Sequence, residues 1–330
     1  AEPDRPRAPP AQPPAPAPML AGGELEAANA AAARGVTGIR DFEYTDTIAD
    51  WTRRLATGTS SVRVECVIAR HLLDAAIACG HRTGDPVADS NGLLTVGPYK
   101  LFVDGSLNTR TAYCHEPYPG TGSHGQLALL YEELVPLMQR AHRHGITPAV
   151  HAIGDHAVTI ALDAFAKLGC PGRIEHAQLV HPDDLPRFAA LGVTASVQPA
   201  HAPDDRDVAD RHWAGRTGRA FPYADLHAAA AKLEIGSDAP VAPLDPWDGI
   251  ASAVTRTDDD RPPWHTEQAI PLATALRAAS GGRAGIRVGD PADLVVTAID
   301  PSYVAPHDLR DIPITATLMA GHPTYSSDPT

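Results

Sequence analysis

Four side chains stand where a fold does chemistry. Lys100, His151, His176 and Asp238 each lie in, or just beyond, a short apolar run that reads as a β-strand. YKLFV carries Lys100 and leads into Asp104 and Gly105, TPAVHA contains His151, RIEH ends in His176, and LEIGS is followed by Asp238. Imidazole nitrogens and carboxylate oxygens are donors that Zn²⁺ and similar borderline ions accept. An ammonium group has only protons to offer, but a lysine carboxylated by CO2 presents two oxygens able to bridge two ions. An aspartate beside a metal-activated water can take its proton and return it to a leaving amine. Taken singly, each residue has a plainer reading. His151 or His176 is then a hydrogen-bonded structural histidine, Lys100 a surface cation or a partner of Glu175 or Asp104, and Asp238 a helix N-cap. Their joint recurrence at strand ends is what points to a metal site.

The elements that must position them alternate along the chain. Strands are expected over residues 36–41, 61–68, 99–103, 147–152, 173–176, 193–197 and 232–237. Helices are expected over 25–33, 46–57, 71–78, 127–144, 157–168, 183–191 and 225–231, several closed by a glycine such as Gly145, Gly169 or Gly192. Alternation of this kind predicts a parallel sheet with helical crossovers. No G-x-G-x-x-G or G-x-x-x-x-G-K-[ST] loop follows a strand, so a nucleotide-dependent oxidoreductase loses its main support. A (β/α)₈ barrel remains, and there residues at the C-terminal strand ends share one mouth. Two other clusters are set aside. His142 and His144 fall at a helix end, where residues two apart point about 200° from each other. The acidic runs at 204–207 and 258–260 lack the glycine and spacing of a calcium loop.

At these residues the sequence resembles the amidohydrolase superfamily, in particular amidohydrolase family 3, which includes the N-substituted formamide deformylases. The stretches that carry the likeness are KLFVDGSLNTRTA (100–112), VHAIGDHAV (150–158), RIEHAQLVHPDDLPRFAALGVTASVQPAH (173–201), GSDAPVAPLDPWDGIASAVTR (236–256) and GDPADLVVTAIDP (289–301). The resemblance implies one or two divalent metal ions, zinc foremost, with Lys100 as a carboxylated bridging lysine. His151, His176 and Asp238 would be further ligands, and Asp238 the proton shuttle. It implies substrate contacts for His201 and Arg256. The reaction would be hydrolysis of C–N bonds other than peptide bonds, in small amides, formamides or cyclic amides, by a metal-activated hydroxide. The family's first barrel strand, which carries an H-x-H, and the small sandwich before it have no counterpart here. The sequence enters the pattern at GVTGIRD (35–41). The expectation is therefore a TIM-type barrel of strands two to eight with a C-terminal remnant of a β-sandwich, N-terminally truncated.

Three regions follow from this reading: a Pro/Ala-rich disordered leader (1–20), the hydrolase barrel (21–284) and the sandwich remnant (285–330). With 330 residues and 43% apolar side chains the chain can build one large core. A formal charge of −13 argues against nucleic acid or an anionic membrane as partner. No run approaches the roughly 20 apolar residues of a membrane span. Four scattered cysteines form no disulfide or zinc-knuckle pattern, which fits a reduced cytoplasmic setting. A small-molecule substrate is expected, and the open barrel edges suggest a homo-oligomer. The rival reading is a non-catalytic, truncated or degenerate barrel that binds a ligand or a partner chain.

Overall fold

In a computed structural model, which describes residues 26–58 and 61–328, seven strands form one parallel sheet in chain order. They are β1 (Gly38–Asp41), β2 (Arg63–Ile68), β3 (Leu94–Phe102), β4 (Pro148–Ala152), β5 (Gly172–His176), β6 (Val193–Val197) and β7 (Leu233–Ile235). The leader expected over residues 1–20 lies outside the described residues. Helices Thr47–Ala56, Leu73–Ala78, Tyr131–Arg143, Asp155–Leu168 and Leu185–Leu191 connect consecutive strands through β6, and His201–Asp204, Arg206–His212 and Tyr223–Ala228 precede β7. The main core lies between these helices and the sheet, with Leu134, Met138, Leu162, Phe165 and Phe188 buried against Leu101, Val150 and Ile174.

The sheet is curled. Flat, seven strands about 4.8 Å apart would hold the outer two nearly 30 Å from each other. Instead Arg40 of β1 donates from Nη1 to Glu234 Oε2 of β7 at 3.1 Å. Among the described residues β1 pairs only with β2, and β7 only with β6. The architecture is a parallel barrel wall open by a seam, as expected for strands two to eight.

Beside it lies an antiparallel sheet of β8 (Leu294–Thr297), β9 (Ile314–Met319) and β10 (His322–Ser326), in the order β10-β9-β8. A helix over residues 26–33 packs on it, and Thr317 Oγ1 donates to Ala32 O at 2.7 Å. The ion pairs Arg63–Asp293 (2.6 Å) and Arg310–Asp248 (2.8 Å) tie this region to the barrel.

One strand departs from expectation by more than two residues at an end. β3 begins at Leu94 rather than Tyr99, because Pro98 interrupts the pattern without ending the strand. The pairing register between β2 and β3 slips by one residue there, from Cys66↔Val96 to Ile68↔Tyr99. At such a bulge a missing N–H costs no ladder bond. Gly97 is needed at the same point, since a Cβ would meet Cys66 O at 2.7 Å.

The loop after β3 is locked to the loop after β4 by Asp104. Its carboxylate accepts N–H bonds from Tyr113 (2.8 Å), Ile153 (3.0 Å) and Gly154 (2.9 Å). Burial pushes this carboxyl up to about 7, against the pull of those three donors. Gly154 has no room for a side chain, because a Cβ would stand 2.1 Å from Tyr113 O. Gly154→Ala is expected to destabilise the fold by about 2–3 kcal/mol through forced backbone movement, measured as a lower urea midpoint at unchanged m-value.

Candidate metal centre

Strand alternation places side chains i and i+2 on one face, and the inward set is unusually polar. Arg40 meets Glu65 and Glu234; Arg173 meets Glu234, Glu175 and Ser196. These five charges form a floor across the barrel. Burial pushes the Glu234 carboxyl up, but Arg173, a hydrogen bond from Lys232 and Arg40 together hold it down at about 2.

Lys100 lies among these inward residues with 5% of its surface exposed. Its Nζ stands 4.6 Å from the Phe42 ring centre and 4.8 Å from that of Phe102. It makes no ion pair among the described residues. Burial lowers its pKa to about 8, only partly offset by Glu175 and Asp238. His151, on the neighbouring strand, packs against Phe102 with ring centres 5.0 Å apart. Its Nε2 faces Gly105 O at 3.0 Å and Asp104 Oδ1 at 3.5 Å. Burial, then the Lys100 charge, pushes this imidazole down to about 3, so it is neutral at ordinary pH.

His176 follows Glu175 in β5, and alternation alone would send the two to opposite faces. The φ of His176 is +78°, in the left-handed region. That turn ends the strand and leaves the ring 4.6 Å from His151 and 6.3 Å from His201, centre to centre. Burial and the nearby His151 and Lys100 push its pKa well below the usual range. Asp238, three residues beyond β7, also has a left-handed φ of +58°. A non-glycine residue there costs about 1–2 kcal/mol, and such cost recurs at functional positions. Burial raises the Asp238 carboxyl above its ordinary range, against His201 and Lys100.

His201, expected to touch substrate, joins this group. It opens a short helix directly after β6, at the same end of the sheet. One ligand atom each from His176, His201 and Asp238 lies within 4.8 Å of the other two. His201 Nε2 is 4.0 Å from Asp238 Oδ2. Both His176 Nδ1 and His201 Nε2 are buried without a hydrogen-bond partner. Imidazoles with unused nitrogens facing a carboxylate fit a divalent cation, whose ligation would satisfy them.

Arg256 is placed elsewhere. It is fully buried, donates to Trp264 O (3.1 Å) and Phe221 O (3.2 Å), and lies over the Tyr223 and Trp264 rings. None of these bonds is to the cluster. The aromatic flank of the mouth, Phe42, Tyr44 and Phe102, did not stand out in the sequence. Its signal is that two of the three directly follow β1.

The sequence pattern of the amidohydrolase family matches residues 12–325. The chain belongs to the amidohydrolase family. YtcJ of Bacillus subtilis (strain 168), which its name describes as an amidohydrolase, is 32% identical over 248 residues, 69% of this chain and 47% of that protein. The N-substituted formamide deformylase of Arthrobacter pascens is 27% identical over 249 residues, 69% of this chain and 45% of its own. A solved metal-dependent hydrolase from Pyrococcus horikoshii OT3 superposes with a TM-score of 0.64 at 32% identity, covering 73% of this chain and 49% of that one. This amidohydrolase chain thus spans about half the length of the relatives it matches. Among the described residues no helix is long and apolar enough to cross a membrane.

Proposed function

We propose that this protein is a metal-dependent hydrolase of C–N bonds other than peptide bonds, acting on small amides, formamides or cyclic amides. The observation that carries the reading is the gathering of His176, His201 and Asp238, one ligand atom of each within 4.8 Å of the other two, in a chain of this family. Zn²⁺ suits the nitrogen and oxygen donors present. A bound divalent ion supplies an acidified water and polarises a carbonyl oxygen.

The chain's own residues do the rest. Lys100, pushed down to about 8 and without an ion-pair partner among the described residues, has a free-amine fraction able to attack CO2 and become a carbamate, releasing a proton to water. The two carbamate oxygens would then serve as ligands. Asp238 keeps 42% of its side chain open to the mouth. It is placed to take a proton at Oδ2 from an attacking water and hand it to the departing nitrogen. Phe42, Tyr44 and Phe102 form an apolar wall that would hold the substrate's hydrocarbon part and thin the water around it.

The test is metal removal and reloading. After dialysis against a chelator the chain should hydrolyse no member of a panel of N-alkyl formamides and cyclic amides. Readdition of Zn²⁺ should restore activity with about one or two ions bound. A chain that takes up no Zn²⁺, or hydrolyses equally well without it, removes the proposal.

A further inference from the structure

We infer that Arg256 is a positioning residue for His201, acting through residues 220–223 and not by touching substrate. The inference rests on the hydrolase reading above, in which His201 belongs to the site, and adds the residue that holds it in place.

Arg256 caps the helix Pro246–Thr255 with a left-handed φ of +60°, and its side chain is fully buried. With no surface exposed, it cannot reach a substrate itself. It makes no ion pair among the described residues, and its Nη2 has no hydrogen-bond partner. Taking such a charge out of water is costly. Here two main-chain carbonyls and the faces of Tyr223 and Trp264 offset that cost. The carbonyls are Trp264 O, 3.1 Å from Nε, and Phe221 O, 3.2 Å from Nη1. A planar fork reaches both at once, which the single nitrogen of a lysine does not.

Two routes lead from this guanidinium to the site. The first runs through Phe221, whose φ of +51° is one that a bulky side chain rarely adopts. Its carbonyl accepts from Arg256 and from Tyr223 N (2.9 Å), and its N–H donates to Gln178 O at 2.5 Å. The Gln178 side-chain amide in turn stands 3.5 Å from His201 Nδ1. The second runs through Tyr223, whose ring centre lies 5.1 Å from the guanidinium carbon. The Tyr223 hydroxyl donates to Gln198 O at 3.2 Å, and that same carbonyl accepts from the His201 N–H at 3.0 Å. Both routes end on His201, whose Nε2 is 4.0 Å from Asp238 Oδ2. A shift of about 1 Å at a reacting group can cost on the order of 10²-fold in rate, even when its cause is remote.

The experiment compares Arg256→Lys, Arg256→Met and Tyr223→Phe with the unaltered full chain. Nitrogen NMR of the metal-free chain, isotopically labelled at histidine, reports the site without any substrate. The His201 ring signals are those lost in His201→Gln, and thermal unfolding checks that each variant is folded. After loading with Zn²⁺, kcat and KM per folded, zinc-loaded chain are measured on the N-alkyl formamide turned over fastest. All three variants should move the His201 signals. They should lower kcat by about 10–100-fold, the range for loss of an outer partner, with KM within about threefold. Lysine should fare little better than methionine, because it keeps the charge but not the reach to two carbonyls. Tyr223→Phe removes one hydroxyl from an intact core and decides the matter if the Arg256 variants do not fold. The inference is overturned if the variant that decides leaves both the His201 signals and kcat unchanged. A lower melting temperature with unchanged kcat overturns it in favour of a structural role, and a raised KM with unchanged kcat in favour of substrate contact. Moved His201 signals in a chain that hydrolyses no formamide leave the positioning role standing and remove the hydrolase reading. Hydrolysis at full rate by all three variants, with unmoved signals, does the reverse.

Discussion

Asp238→Asn is expected to lower kcat by about 10²–10⁴, the range supplied by a positioned proton-transfer group. The fold should be nearly indifferent. The side chain is 42% exposed at the mouth, and asparagine is among the residues that best tolerate the left-handed backbone at this position. Turnover of the Zn²⁺-loaded variant should be read together with its zinc content and melting temperature. Asparagine keeps one oxygen able to ligate but cannot accept the water's proton, so retained zinc with lost turnover assigns proton transfer to this carboxylate. Full activity would remove it from the mechanism.

Glu234→Gln should produce a large stability effect. Glu234 accepts from both Arg40 and Arg173 beneath the site and also meets Lys232. Its carboxyl is held at about 2, against 4.5 for an ordinary glutamate. That difference corresponds to about 3 kcal/mol at 1.36 kcal/mol per pKa unit. Because the folded pKa is the lower one, the contribution is complete above pH 4.5 and is lost as pH falls towards 2. The glutamine variant should lose about 3 kcal/mol at pH 7, the lower end of the cost expected when one partner of a buried pair is removed. Its stability between pH 4.5 and 2 should also fall less steeply, as followed by urea midpoints at each pH. A parallel acid limb in both proteins would show that Glu234 stays protonated or unpaired in the native state.

The sequence was most legible where one physical signal dominates. β6 runs over Val193–Val197 as expected, because its β-branched residues are bounded by Gly192 and by Pro199. That His142 and His144 could not share an ion also followed from helix geometry, and both are exposed. β3 was read too short because Pro98 breaks the pattern locally, while the bulge that accommodates it depends on the pairing with β2. The charged floor was hidden for a related reason. Arg40, Glu65 and Glu234 occur one per short strand, and four residues of GIRD carry too little periodicity to mark a face. His201 was expected, by resemblance, as a substrate contact, but its distance to Asp238 depends on how far the sheet curls. The orientation of His176 rests on one backbone angle, to which residue types give no guide.

The bridge from Arg40 to Glu234 joins the two margins of the sheet by side chains alone. Widening the cavity therefore requires release of ionic contacts across the seam, this one and Arg34–Asp245, while every amide ladder between neighbouring strands stays whole. The aperture becomes a soft coordinate, responsive to ionic strength, whereas the depth of the cavity is stiff. A guest broader than the resting opening has a yielding flank on that side, next to the aromatic wall of Phe42 and Tyr44.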